Sequence, residues 1–228
     1  VHRPKAFFTQ PRLQSPTCSM ASLPQLVQLL QLAQAHDFTL VENDIYAEMD
    51  ASMRPSLASL GQLRRVVYVG SYSKTISPNI RVGYVIAQPE LLDELAQLKM
   101  ISGLTSSDIT ERLAFGTVTD GRWRKHLKAL RERLAQAHGS VARRLGGLGF
   151  ELFHEPAAGM YLWARHPDIT DSAELSRRAA AEGIMLGPGQ LFLVNPRPTG
   201  WLRFNVAFSE DERLWRFLER SIEERRSD

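Results

Sequence analysis

The stretch 67-VYVGSYSKTISPNIRVGYV-85 puts a single lysine, Lys74, on a polar turn directly behind a run of apolar β-formers, with Arg81 seven residues further on. A lysine a few residues past a strand projects from the carboxyl edge of a sheet rather than from an open helix face, and in α/β sheets that edge is where ligands bind. An amine partly withdrawn from water there, near a second cation, is an able nucleophile toward a carbonyl carbon. Ser71, Ser73 and Arg81 add hydroxyls and a guanidinium, groups that suit a phosphate. Taken alone, a lysine in a polar loop is an ordinary surface residue, so the reading depends on its surroundings.

Working outward, KAFFTQ (5–10) has the character of a short strand. SLPQLVQLLQLAQAHD (22–37) carries Leu26, Leu29, Leu30 and Ala33 at helical spacing, with Ser22 as N-cap and Pro24 in the first turn. FTLVEN (38–43), RVVYVGS (65–71) and RVGYVIA (81–87) follow as strands, and DASMRPSLASLGQL (50–63) is expected to be a loop. A helical crossover between the first two strands, and strands nearly continuous in apolar residues, predict a mostly parallel sheet buried on both faces. From Pro89 to about Leu148 the pattern is helical almost throughout, and the repeated Arg and Lys of residues 121–149 are expected to form a solvated face. Then FELFHEP, GMYLWAR, IMLGPG and GWLRFNVAF read as strands, SAELSRRAAAEG as a helix ending at Gly183, and EDERLWRFLERSIEERR as a closing amphipathic helix. The expected architecture is α/β over residues 1–88, then connecting helices and a smaller α+β domain over 89–228.

At 228 residues the chain can bury a real core, and a formal net charge of +3 is weak evidence for nucleic acid. The one cysteine, Cys18, excludes an internal disulfide and leaves nothing for a cysteine metal cluster, as expected of a reducing cytoplasm. No apolar run approaches membrane-spanning length, so no membrane partner is expected. The sequence opens at Val1 without a methionine and runs almost at once into a strand, which is what a piece of a longer protein does.

Five segments, taken in order, resemble the fold-type I pyridoxal phosphate enzymes, the class I/II aminotransferases. SYSK with Pro78, Arg81 and Gly83 resembles their lysine motif. VENDIYAEM (41–49) lies upstream, where the family keeps a carboxylate for the pyridine nitrogen and a tyrosine near the cofactor's phenolic oxygen. PRLQSPTCSM (11–20) is similar to the family's P-x-x-Q-N-P-T-G segment, AAGMYLW and GIMLGPGQLF resemble its small domain, and WLRFNVAF resembles the strand whose arginine grips a substrate carboxylate. The resemblance implies a pyridoxal 5'-phosphate site, with Lys74 as the reactive amine and Ser15, Asn43, Asp44, Tyr46, Ser71, Ser73 and Arg81 around the cofactor. It also implies Arg203 on the carboxylate of an amino acid or 2-oxo acid, no metal, and a homodimer.

Three departures accompany the resemblance. Ser15 and Cys18 stand where the family usually has Asn and Gly. Counting back from Tyr46, Asn43 lies three residues away and Asp44 two. Neighbouring strand residues face opposite sides, so both cannot meet the ring; Asp44 is favoured, because only a carboxylate stabilises a pyridinium by charge. The family's glycine-rich phosphate turn and ring-stacking aromatic belong to a portion not matched within this sequence. Two functions fit: a self-standing aminotransferase, or the ligand-sensing domain of a MocR-type GntR-family regulator that contacts DNA through a winged helix absent from this sequence. VENDIYAE, GSYSKT and GMYLW are closer in wording to the regulators. A degenerate domain without cofactor is the third reading.

Overall fold

The β-formers of the opening stretch build the centre of a sheet. In the computed structural model, which describes residues 3–227, four strands lie in the order β1 (Ala6–Thr9), β2 (Thr39–Asn43), β3 (Val66–Ser71) and β4 (Gly83–Ile86). The first three are parallel, and β4 returns antiparallel to β3 with Gly70 opposite Tyr84. The Tyr84 ring lies across Gly70, where an added Cβ would sit 2.3 Å from it and would push that ring aside. Val1, where the sequence opens, lies outside the described residues.

Helix α1 (Leu23–His36) makes the expected crossover between β1 and β2. It starts at Ser22, whose main-chain N–H and hydroxyl both donate to Gln25 Oε1, at 2.8 and 3.0 Å. Its Leu26 and Ala33 pack with Leu40, Leu57, Ala58 and Val66 on one face of the sheet. The expected loop at 50–63 contains a short helix, α2 (Leu57–Gly61). Five residues are too few to register as a helical period. Its start is fixed from a distance, by the buried Glu42 carboxylate, which accepts from the N–H groups of Leu57 (2.8 Å) and Ala58 (2.9 Å). The outer strands also differ from expectation. Every residue of β4 is exposed, as are the first three of β1, because no described strand pairs beyond either edge.

The connecting helices are α3 (Pro89–Gly103), α4 (Asp108–Thr119) and α5 (Trp123–Gly147). The second sheet is antiparallel, with β5 (Glu151–Leu152), β6 (Tyr161–Arg165), β8 (Trp201–Asn205) and β7 (Gly187–Pro188) adjacent in that order. FELFHEP thus contributes a strand of only two residues, although Phe153 N–H still donates to Trp163 O at 2.9 Å. Helix α6 (Ser172–Ala181) is capped by Asp171 Oδ1 on the N–H of Ala173, and α7 (Glu212–Ser227) closes the chain. Alternation turns Leu202 and Phe204 of β8 inward, to a core with Leu162, Leu175, Trp215 and Leu218, and leaves Arg203 and Asn205 on the other side.

The chain divides into two compact units: residues up to Gln14 with Ser19–Arg131, and Ser15–Cys18 with Glu132 onward. The division falls inside α5, whereas the sequence reading puts a boundary near Pro89. Contacts from α4 and the start of α5 to the segment after β3 keep these helices with the first unit.

Candidate cofactor and ligand site

Lys74 sits on a turn that begins where β3 ends. Ile76 N–H donates to Tyr72 O at 2.8 Å and Tyr72 N–H to Val82 O at 3.1 Å, which fold the segment back toward β4. The Ser71 hydroxyl accepts from Ser73 N–H at 3.1 Å and donates to Val82 O at 3.4 Å, so it braces the turn itself. Ser73 is buried and Lys74 half-buried, and Lys74 makes no ion pair or hydrogen bond among the described residues. Arg81, exposed and without a partner among them, caps the 3-10 turn Pro78–Ile80 in the left-handed conformation (φ 50°).

The end of β2 separates two residues that the sequence leaves as alternatives. Glu42 pairs with Tyr68 and Asn43 with Val69 across the ladder, so Asn43 shares a face with Val69 and Ser71, and Asp44 lies on the opposite face with Glu42 and Tyr68. Asp44 is 3% exposed and already occupied. Arg12 Nε donates to its Oδ1 at 3.0 Å, while Arg12 Nη1 reaches Asp50 Oδ2 at 2.6 Å and Nη2 the carbonyl of Arg54 at 2.8 Å. Burial pushes the Asp44 carboxyl above its ordinary range, opposed by the Arg12 charge and a Tyr68 hydrogen bond. Asn43 differs: its Oδ1 is buried and has no hydrogen-bond partner among the described residues. Tyr46 is buried at the start of the 3-10 turn Ala47–Met49.

The second unit carries the remaining predicted residues. Arg203 Nη1 donates to Ser15 Oγ at 2.8 Å, and its guanidinium lies over the rings of Tyr161 (4.2 Å) and Phe192 (4.8 Å). It forms no ion pair among the described residues, so its charge is available to an anion. Cys18, where the resemblance expects glycine, takes φ 54° and is buried, and burial raises its thiol pKa. Lys74, Asn43, Asp44, Tyr46, Ser71, Ser73 and Arg81 therefore belong to the first unit, and Ser15 and Arg203 to the second. Sequence reasoning missed Arg12, His126 and Arg131. Arg12 was visible only as part of PRLQ, and no local pattern announces a guanidinium shared by two distant carboxylates.

This arrangement belongs to a known class. Residues 4–220 match the family described as aminotransferase class I and II, and the chain belongs to that family. Among its relatives is the 2-aminoadipate transaminase of Thermus thermophilus, 30% identical over 92% of this chain and 54% of that protein. Another is the HTH-type transcriptional regulator NorG of Staphylococcus aureus, 25% identical over 92% of this chain and 48% of the regulator. The structure of alpha-aminoadipate aminotransferase from Thermus thermophilus, complexed with N-(5'-phosphopyridoxyl)-L-leucine, superposes with a TM-score of 0.86 at 26% identity. That match covers 96% of this chain and 59% of the other. The fold is that of the pyridoxal phosphate-dependent transferases, and the chain spans about half the length of the relatives it matches. The family includes both enzymes and regulators, and pyridoxal phosphate is the cofactor that these matches support. No helix among the described residues is long and apolar enough to cross a membrane.

Proposed function

We propose that this chain forms part of a pyridoxal phosphate site that recognises an amino acid or its 2-oxo acid, and that it serves as the sensing domain of a MocR-type GntR-family regulator. The observation that carries the reading is the orphaned Oδ1 of Asn43, on the face shared with Ser71. An amide there fits a pyridine nitrogen in either state, accepting from N–H through Oδ1 or donating to the bare nitrogen through Nδ2. It supplies no charge to hold the nitrogen protonated, and Asp44, which could, is committed to Arg12. Lys74 and Arg81, both without partners among the described residues, fit an aldehyde and a phosphate.

When bound, pyridoxal phosphate supplies a carbonyl for amine condensation and a ring that takes up electrons from the substrate's Cα. Lys74 Nζ would hold the cofactor's carbonyl end, and as a free amine it would be the base beside the substrate's Cα proton. Arg203 offers a fork for two carboxylate oxygens, with Tyr161 and Phe192 fixing its plane. The neutral Asn43 weakens the electron sink while leaving recognition intact, and this favours a sensor over a fast enzyme. A homodimer, a cytoplasmic location and DNA contact through a winged helix outside this sequence accompany the regulator reading.

Absorbance titration with pyridoxal phosphate, followed by borohydride reduction and peptide mapping, tests the assignment. The adduct is expected on Lys74, and Lys74→Ala should lose the visible band. Amino acids should change the spectrum where their decarboxylated amines do not. A reducible adduct retained in Lys74→Ala overturns the role of the lysine. The identity with 2-aminoadipate transaminase favours a second reading, a self-standing transaminase. Rapid turnover of amino acid to 2-oxo acid by the full-length gene product would select it.

A further inference from the structure

Two side chains at the start of α5 direct their donors to main-chain carbonyls. His126 Nε2 lies 2.7 Å from the carbonyl oxygen of Thr75, the residue after Lys74. A carbonyl only accepts, so the ring carries its proton on Nε2. Trp123 stacks on the imidazole, with centroids 5.5 Å apart and planes 24° from parallel, and holds its orientation. Five residues along the same helix, Arg131 Nε donates at 2.9 Å to the carbonyl oxygen of Glu48, in the 3-10 turn that follows Asn43, Asp44 and Tyr46. One helix is therefore bonded to the loops beyond both β2 and β3. His126 adds a side-chain anchor to the main-chain bonds that Ile76 N–H and Thr75 N–H make to Tyr72 O, and the buried Thr75 Oγ1 has no partner among the described residues.

We propose that His126 and Arg131 are positioning residues, which bolt the Lys74 turn and the Asn43–Glu48 segment to one rigid helix and thereby fix the Lys74 amine relative to the Asn43 amide. The inference rests on the reading of Lys74 as the cofactor amine. An ε-amino group on a long chain is aimed only as well as its main chain is held, and a small misplacement of a reacting group costs rate steeply. An imidazole Nε2–H donates whether the ring is neutral or charged, so the bolt serves as an anchor across the pH range.

Hydrogen exchange on the purified chain, without cofactor, reads the bolts directly. His126→Ala should speed exchange of the Thr75 and Ile76 amides by roughly threefold to tenfold, the loss of one hydrogen bond. Arg131→Ala should do the same for residues 47–50 and leave the lysine turn unchanged. With pyridoxal phosphate added, His126→Ala should move the pH midpoint of the visible band, and His126→Gln, whose amide N–H replaces Nε2–H, should restore it. Unchanged exchange and an unchanged midpoint in His126→Ala overturn the inference. Should borohydride mark a lysine other than Lys74 in the wild-type chain, the cofactor reading falls and the positioning role with it, whatever the exchange data show. If His126→Ala does not fold, Arg131→Ala and His126→Gln decide: loops that exchange as in wild type in the former, with a shifted midpoint in the latter, refute the proposal.

Discussion

The second sheet is sealed where the first is open. In the second unit, Leu162, Leu175, Leu202, Phe204, Trp215 and Leu218 are almost wholly withdrawn from water. In the first, Leu13, Leu40, Leu57 and Val66 are comparably buried, but Phe8 of β1 is 75% exposed, and α3 has no buried residue. The difference separates two tasks. The second unit closes its own core, and Arg203 stands on the far side of a strand that packing already fixes. The first concentrates its packing at the middle strands, whose carboxyl ends carry the candidate cofactor residues.

The largest expected effect breaks the sealed side. Trp215→Ala should destabilise the chain by about 3–5 kcal/mol, the usual cost of truncating a buried large aromatic. A denaturant midpoint reads it. Unfolding followed separately by probes in each unit sharpens the comparison: if the units are energetically distinct, the second should lose its transition first. A loss below about 1 kcal/mol would mean that this core is far less tightly packed than its burial indicates.

Arg12 is the corresponding point in the open unit. Arg12→Ala leaves Asp44 and Asp50 buried together without their shared cation, which should cost about 3 kcal/mol near neutral pH. The sign with pH follows from Asp44. Its folded-state pKa is already raised by burial, so it binds its proton more tightly folded than unfolded, and it subtracts stability as pH rises past the ordinary carboxylate range. Asp50 has the opposite sign: burial pushes its pKa up, but hydrogen bonds from Ser52 and Arg12 outweigh that and leave it lowered. Losing Arg12 raises both. The deficit of Arg12→Ala should therefore be greatest at neutral pH and shrink toward about pH 4, where protonation relieves the buried charge. A deficit independent of pH would mean that Arg12 acts through packing alone.

What the sequence made legible was local. Ser22 and Pro24 announced the start of α1, alternation announced the inward Leu202 and Phe204, and a lysine behind a β-run announced the turn at Lys74. Between Asn43 and Asp44 the sequence reading favoured Asp44 on charge alone, without knowing which face each residue takes or that Asp44 pairs with Arg12. A one-residue step reverses the face of a strand, and what decides the face is the pairing with β3 and an arginine 32 residues earlier. His126 and Arg131 were hidden for another reason. Their acceptors are main-chain carbonyls, which every residue possesses, and they lie among basic residues that read as a solvated face.

The smallest expected effect on stability tests the open side. Phe8 is exposed on β1, so Phe8→Ser should change folding free energy by no more than about 0.5 kcal/mol, the ordinary range for a surface position. Its effect on association should be larger. No described strand pairs with the outer edge of β1, and a large aromatic beside an unpaired strand edge favours pairing between chains. The other edge is flanked by the exposed Tyr84, Val85 and Ile86, and Leu98, Ile101, Leu113 and Phe115 add apolar surface on α3 and α4. Sedimentation across a concentration series should show wild-type chain associating and Phe8→Ser shifted toward monomer with its denaturant midpoint unchanged. Association undiminished in Phe8→Ser but reduced by Ile101→Ser would move the contact from the β1 edge to the helices. A clear loss of stability in Phe8→Ser would instead mean that β1 packs more closely than its exposure indicates, and the contrast between the two sheets would narrow.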